Sequence, residues 1–264
     1  MTFTRELSDR VTISVVSHGH SALILLLAKQ LASTPLHRNI TLVITINSLK
    51  LDSELDIKRL ELASLANVVL LRNNVPMGFG ANHNQAFQTC ETEFFCIINP
   101  DIELTTEPFA QLLKMFVVGD IGLTYPRQID GRNTSLDFER HLVSPLSIAQ
   151  RHLFGKRYRY NSDKPVDWVS GSFMVFRSAV FRELGGFDDR YFMYCEDVDI
   201  CLRMQLLGYK LARANVTVTH DTQRQTLKNP RHLAWHIRSL LRLWNSSVYK
   251  GYKKKLSTSG SYVH

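Results

Sequence analysis

Two short stretches of the chain carry carboxylates in patterns that could do chemistry. The first is Asn99-Pro100-Asp101, which follows the run Phe94-Phe95-Cys96-Ile97-Ile98. Five apolar residues in a row read as a strand buried on both faces, the kind found in the middle of a parallel sheet. Pro100 has no N–H to give a ladder, so the strand must stop or reach an edge there. Asp101, with Asn99 beside it, is therefore expected at the carboxyl end of a central strand, where open α/β sheets bind their ligands. A carboxylate in that place can hold a divalent cation, and the cation a diphosphate. The plainer alternative is that it caps the helix started by Thr105-Thr106-Glu107-Pro108.

The second stretch is Glu196-Asp197-Val198-Asp199, preceded by the aromatic Phe187 to Tyr194 and opening a helix that runs through Leu207 to Gly208. Acids in a first turn are favoured by the helix dipole, which accounts for one or two of the three. Three packed together in an aromatic setting repel, so at least one should keep its proton more tightly, and a carboxylate with a raised pKa suits general-base work. His220 ends a strand over Lys210 to Thr219. A histidine there is either a surface residue or, where a metal site needs one, a ligand.

The elements that must position these groups can be read from periodicity. Val11 to Ser17, Ile40 to Ile46 and Val68 to Leu71 are strands, separated by helices over Ala22 to Ala32 and Leu55 to Leu65. Three strand–helix units in a row mean parallel strands with right-handed crossovers. Gly78 and Gly80 permit close backbone approach before a helix beginning near Ala81. Asn82 and Asn84 on its first turn could reach a ligand above the sheet, since Asn is otherwise a poor helix former. A helix over Pro108 to Val118 and a strand over Ile121 to Tyr125 complete a first half. Gln128 to Lys164 reads as a surface excursion with a short helix near Ser147 to Phe154. Trp168 to Phe176 returns as a strand, and Ser178 to Leu184 is a helix closed by Gly185-Gly186.

Composition sets the outer bounds. With 264 residues, 44% of them hydrophobic and 21% charged, the chain can bury a sizeable core in one large domain. The start has no secretory pattern, no apolar run approaches a bilayer's thickness, and Cys90, Cys96, Cys195 and Cys201 form no Cys-x-x-Cys pair, as for free thiols in a reducing compartment. Nine of the 32 Lys and Arg fall within 222–264, which hold no Asp or Glu, so residues 1–221 carry 23 basic against 24 acidic side chains. A near-neutral body with a basic tail predicts an anionic partner for the tail. Within it Leu233, Ile237, Leu240, Leu241 and Trp244 share one helical face, and Arg231, Arg238 and Arg242 another. That is the pattern of an interfacial helix, to which Lys253-Lys254-Lys255 adds attraction for anionic lipid. The alternative is a helix packed on the domain with a solvated basic face. A nucleic-acid partner is disfavoured, since the body is net acidic and no nucleic-acid-binding motif is present.

Taken in order, Val-Val-Ser-His (15–18), Gly-Phe-Gly-Ala-Asn-His-Asn (78–84), Asn-Pro-Asp (99–101), Ser-Gly-Ser-Phe (170–173), Gly-Gly-Phe-Asp (185–188), Glu-Asp-Val-Asp (196–199) and His220 resemble a family-2 glycosyltransferase of the GT-A fold. The resemblance is strongest to bacterial rhamnosyltransferases of O-antigen and cell-surface polysaccharide assembly. It implies an α/β fold with a mostly parallel central sheet flanked by helices, comprising a GT-A domain over 1–221 and a basic amphipathic tail over 222–264. Within the domain, 1–125 would bind the nucleotide-sugar and 126–221 the acceptor. It implies inverting transfer from a nucleotide-sugar donor (dTDP-rhamnose, or a UDP-sugar if the enzyme is a galactosyl- or glucosyltransferase). The acceptor would be a polyprenyl-diphosphate-linked sugar such as GlcNAc-PP-undecaprenol, reached by a peripheral protein on the cytoplasmic face of the inner membrane. Carried over by position, Asp101 looks like the metal-contacting acid, with Asn99 in the first acidic slot and His220 completing a site for Mn²⁺ or Mg²⁺. Ser17, His18 and Asn47 fall where base and ribose lie, and Gly78 and Asn84 match the loop over the nucleotide. Asp197 matches the catalytic base, with Glu196 and Asp199 beside it. Ile46-Asn47 departs from the family's usual Asp-Asn, so a carboxylate contact to ribose is not expected here. Ala86 stands where a Gly is usual.

Overall fold

The computed structural model describes residues 10–48, 67–136, 138–142, 144–145, 165–220 and 230–258. The strands comprise the predicted β-branched and aromatic runs and two short ones, Ile102–Glu103 and Glu139–Arg140, that no pattern predicted. They are β1 (Val11–Ser17), β2 (Ile40–Ile46), β3 (Asn67–Arg72), β4 (Phe94–Ile98), β5 (Ile102–Glu103), β6 (Ile121–Ile129), β7 (Glu139–Arg140), β8 (Trp168–Val169), β9 (Phe173–Arg177) and β10 (Lys210–His220). Seven α-helices accompany them among the described residues: α1 (Ser21–Ala32), α2 (Phe79–Phe87), α3 (Phe109–Lys114), α4 (Ser178–Glu183), α5 (Glu196–Leu206), α6 (Pro230–Asn245) and α7 (Ser247–Thr258). The helices expected over Leu55 to Leu65 and Ser147 to Phe154 lie outside the described residues.

Eight strands form one sheet in the order β3-β2-β1-β4-β9-β6-β10-β5. The pairs β3–β2, β2–β1, β1–β4 and β6–β10 are parallel, while β9 runs antiparallel between β4 and β6. All five residues of β4 are fully buried, and they alternate between two cores. Phe94, Cys96 and Ile98 pack with α1 and α3 on one face of the sheet; Phe95 and Ile97 pack with α2, α4, α5 and the C-terminal helices on the other. A strand covered on both faces needs apolar residues at every position, so its sequence runs continuously instead of alternating.

Two expectations change. Trp168 to Phe176 is two strands, because Ser170-Gly171-Ser172 turns the chain out of the short β7–β8 hairpin and into the main sheet. The excursion after Gln128 is ordered at its start, with β6 continuing to Ile129 and β7 lying within it. The tail helices contribute Leu243, Tyr249 and Tyr252 to the second core, and the Tyr252 hydroxyl donates to Asp167 Oδ1 at 2.9 Å. The packed alternative for the tail therefore holds, but it does not account for all of α6. Leu233, Ile237 and Leu241 remain 45%, 50% and 53% exposed, four residues apart along the outer side of the helix.

Candidate active site

β4 ends at Ile98, and Asn99-Pro100 carries the chain over the carboxyl edge of the sheet to Asp101. The chain then re-enters as the two-residue β5, whose Ile102 pairs antiparallel with His220. This pairing brings Asp101 and His220 together, with Nε2 of His220 3.3 Å from Oδ1 of Asp101. Gln128, on β6 beside β10, accepts hydrogen bonds from the Ser172 hydroxyl at 2.9 Å and from Nδ1 of His220 at 2.9 Å. With Nδ1 engaged as a donor to Gln128, Nε2 is the ring atom turned toward Asp101. Oδ1 of Asp101 is buried, and its neighbour is this nitrogen. Imidazole plus carboxylate is a donor set suited to Mn²⁺ or Mg²⁺. Among the described residues no group of three or more His, Cys, Asp or Glu converges. An ion here would take its remaining ligands from substrate and water. Asp101 is not the cap of α3, because Glu107 accepts from the N–H groups of Phe109 and Ala110.

Asp101 opens onto a cavity of about 610 Å³. His18, Asn47, Met77 and Asn99 line it as well, together with the rings of Phe192, Tyr194, His232 and Trp235. The asparagines expected to reach a ligand are used differently. Asn47 accepts from the N–H of Met77 and donates to its carbonyl, both at 2.8 Å. Asn73 donates to Oδ1 of both Asn47 and Asn82, and Asn82 donates to the carbonyl of Gly78. Three buried amides thus lock the Met77-Gly78 turn, because buried amide groups must find partners. Asn84 is turned from the cavity; it accepts from the N–H of Phe187 at 2.8 Å and donates to the Phe187 carbonyl at 2.9 Å. Ser17 accepts from the N–H of His20 and shapes the turn, while His18 faces the cavity.

Gly78 and Gly80 do serve close backbone approach, but what approaches is protein. A Cβ on Gly78 would lie 2.6 Å from the Phe192 carbonyl oxygen, and one on Gly80 2.6 Å from Cβ of Phe187. The N–H of Phe79 donates to that Phe192 carbonyl at 2.9 Å. The 187–195 loop is thereby fastened over α2 and delivers Glu196-Asp197 to the start of α5.

Asp197 accepts from the N–H groups of Gly171 at 3.2 Å and Val198 at 2.9 Å. Burial still pushes its pKa up. It sits next to Gly171, whose missing side chain leaves room for both Asp197 and the ring of Phe79. Phe79 is part of the cavity wall; Asp197 stands behind it and does not itself line the cavity. Glu196 is pushed up further by burial and by the charge of Asp197, and its Oε2 has no partner. Asp199 points another way. It pairs with Arg203 at 2.7 Å, and Arg203 also donates to the carbonyls of Leu184 and Gly186, tying α5 to the end of α4.

Three residues of the site were not singled out in the sequence. Gln128 orients His220 from a position that reads as the start of a loop, and nothing local marks it. His83 sits beneath the cavity with Nδ1 2.8 Å from the Ser14 hydroxyl, and burial lowers its pKa to about 3, so it stays neutral. Trp235 comes from a helix more than a hundred residues beyond Asp101, so only the tertiary fold could place it here.

The family model described as Glycosyl transferase family group 2 matches residues 113–248, just over half of the chain. The chain belongs to this glycosyltransferase family. Along 253 residues, 88% of this glycosyltransferase and 91% of its relative, it is 26% identical to Rhamnosyltransferase WbbL of Escherichia coli (strain K12). An 80-residue stretch is 41% identical to the N-acetylglucosaminyl-diphospho-decaprenol L-rhamnosyltransferase of Mycobacterium tuberculosis, covering 30% of this chain and 26% of that one. Among solved structures, the mannosyltransferase PcManGT from Pyrobaculum calidifontis in complex with GDP-Man and Mn²⁺ aligns at a TM-score of 0.59. That alignment spans 97% of the glycosyltransferase and 76% of the mannosyltransferase at 14% identity. S. aureus TarS 1-349 in complex with UDP-GlcNAc aligns at 0.58, over 94% and 73% at 10% identity. The glycosyltransferase therefore has the GT-A fold and is a hexosyltransferase.

Proposed function

We propose that this enzyme moves L-rhamnose from dTDP-rhamnose, with inversion, to a polyprenyl-diphosphate-linked GlcNAc such as GlcNAc-PP-undecaprenol in O-antigen assembly. It would act as a peripheral protein on the cytoplasmic face of the inner membrane. The observation that supports the reaction type is the pairing of Asp101 with His220 at 3.3 Å, with Asp101 lining the cavity at the sheet's carboxyl edge. The rhamnosyl group is supported by the names of the two rhamnosyltransferase relatives, and the class of acceptor by the name of the second.

Asp101 and His220 would hold Mn²⁺ or Mg²⁺, which when bound offsets the charge of the departing diphosphate. His18 and the Met77 turn, braced by Asn47, Asn73 and Asn82, would border the nucleoside. Asp197 would take the proton of the acceptor hydroxyl, a contribution of typically ~10²–10⁴-fold for a positioned base. Glu196 and Asp199 would support it, Asp199 by anchoring α5 through Arg203. The exposed stripe Leu233, Ile237 and Leu241, with Arg231 and Arg238 along the same helix, would meet the anionic membrane surface.

A panel of dTDP-rhamnose, UDP-glucose and UDP-galactose, offered with polyprenyl-diphospho-GlcNAc, tests the proposal. Transfer should occur from dTDP-rhamnose, stop in EDTA and resume on adding Mn²⁺ or Mg²⁺. Transfer from a UDP-hexose alone would make the enzyme a glucosyl- or galactosyltransferase, and full activity in chelator would take the metal out of the reaction.

A further inference from the structure

Two lining residues of the cavity, His232 and Trp235, come from a helix that no motif of the sequence assigned to the site. Trp235 of α6 packs on Phe192 with ring centroids 4.9 Å apart, and His232 lies edge-on to Trp235 at 5.0 Å. The Tyr194 hydroxyl is 2.8 Å from Nδ1 of His232, and the Tyr194 ring rests against His236 at 4.9 Å. Four of these five rings belong to the cavity wall, His236 standing behind Tyr194. The backbone that presents them is unusual: Tyr194 and Cys195 are consecutive non-glycine residues with φ of 70° and 68°. Such a conformation is costly for a side chain with a Cβ, and persists only where surrounding contacts hold it. Here the Phe192 carbonyl is held by the N–H of Phe79, and the Met193 carbonyl by the Ser239 hydroxyl at 2.9 Å.

We infer that Trp235, Tyr194 and His232 form the subsite for the acceptor's sugar ring, a hexosamine carried on a lipid diphosphate. This rests on the transferase reading given above. An aromatic face with polar tips beside it suits a sugar, whose ring offers C–H groups on one side and hydroxyls around its rim. Position favours the acceptor over the nucleotide. Tyr194 precedes Asp197 by three residues, a span of at most ~11 Å along an extended chain, so a sugar on Tyr194 lies near the base.

The outer side of α6 supplies the second observation. His232, Trp235, His236 and Ser239 lie on its inner face, and Leu233, Ile237 and Leu241 lie roughly 140° around the helix at 3.6 residues per turn. One helix, ~10 Å across with side chains, thus separates the aromatic wall from the exposed apolar stripe. A sugar tethered to a membrane lipid through a diphosphate can reach a subsite only that far from the lipid surface. A freely diffusing nucleotide-sugar has no such requirement.

The test is steady-state transfer by full-length Trp235→Ala, Trp235→Phe and Tyr194→Phe, with KM measured separately for dTDP-rhamnose and for a short-chain polyprenyl-diphospho-GlcNAc. Acceptor-independent hydrolysis of dTDP-rhamnose serves as a readout of the donor site. Trp235→Ala should raise the acceptor KM about tenfold or more, with donor KM and donor hydrolysis changed less than about twofold. Trp235→Phe should recover most of the loss, and Tyr194→Phe should raise the acceptor KM with donor KM unchanged. A rise in donor KM with an unaltered acceptor KM would put Trp235 against the nucleotide and overturn the inference. So would unchanged constants for all three variants. If Trp235→Ala does not fold, the two Phe variants decide by the same criterion. Calorimetric binding of the acceptor to wild type and Trp235→Phe in the presence of dTDP needs no turnover. Wild-type binding without transfer from dTDP-rhamnose would sink the donor assignment and leave the subsite standing; no binding by wild type would sink the subsite.

Discussion

Asp197 and Glu196 are adjacent acids in one buried turn, yet their surroundings set them apart. Asp197 has two backbone N–H donors that oppose the effect of burial; Glu196 has an oxygen without a partner and feels the charge of Asp197. An amide at 197 keeps the shape and cannot take a proton. Asp197→Asn should therefore lower kcat by ~10²–10⁴ while donor affinity stays within about threefold. In wild type, kcat should fall as pH drops through a value above the ordinary aspartate range, and the residual activity of Asp197→Asn should lack that limb. For Glu196 the consequence is stability. Its folded pKa lies above the unfolded one, so its contribution is most favourable below the unfolded value and is lost as pH rises through the folded value. Glu196→Gln should melt higher than wild type at pH 7, with the difference shrinking toward pH 4. A difference that does not depend on pH would mean that Glu196 is uncharged throughout or has a partner.

At the scale of elements, the loop 187–195 is the piece on which the site depends. It is fixed by α2 on one side, through Gly78, Gly80 and Asn84, and by α6 on the other, through Ser239 and His232. A methyl group at Gly78 would strike the Phe192 backbone at 2.6 Å, and backbone cannot swing aside as a flexible side chain can. Gly78→Ala is expected to cost ~1–3 kcal/mol of stability, as overpacking usually does. It should also weaken catalysis beyond that, since the displaced loop carries both Tyr194 and Asp197. Thermal melts and kcat measured on the folded fraction would check this. Wild-type turnover in a protein that melts lower would show that the loop can shift without moving the acids.

At the scale of the molecule, seven of the nine basic residues of 222–264 and the exposed apolar stripe lie on the two C-terminal helices, and the inner surfaces of those helices are part of the core. No helix among the described residues is long and apolar enough to cross a membrane. Replacing Leu233, Ile237 and Leu241 with Gln should release the enzyme from vesicles containing anionic lipid. Replacing Lys253, Lys254 and Lys255 with Ser should weaken binding by ~1 kcal/mol per charge near the surface, and less at high salt. Transfer to a water-soluble, short-chain acceptor should persist in both. Vesicle flotation is the measurement, and unchanged binding by both variants would leave the tail as packing alone.

Much of this was legible in the chain itself. The first three strands, the buried β4 and its stop at Pro100 follow from residues near in sequence, because apolar runs and proline act locally. Asp101, His220 and the 196–199 acids could be found as groups with chemical capacity. What the sequence could not decide was what each polar side chain touches. Asn47, Asn82 and Asn84 stood out as candidate ligand contacts; in the fold they also clamp the backbone of Met77, Gly78 and Phe187, and Asn47 lines the cavity as it does so. Gln128 and Trp235 carried no local signal. An amide or indole has the same propensities whether its partner is a ligand or another loop, and that partner is chosen by strands and helices a hundred residues away. Periodicity identified an amphipathic α6; only packing against α7 and the 187–195 loop separated the inner face from the stripe left to solvent.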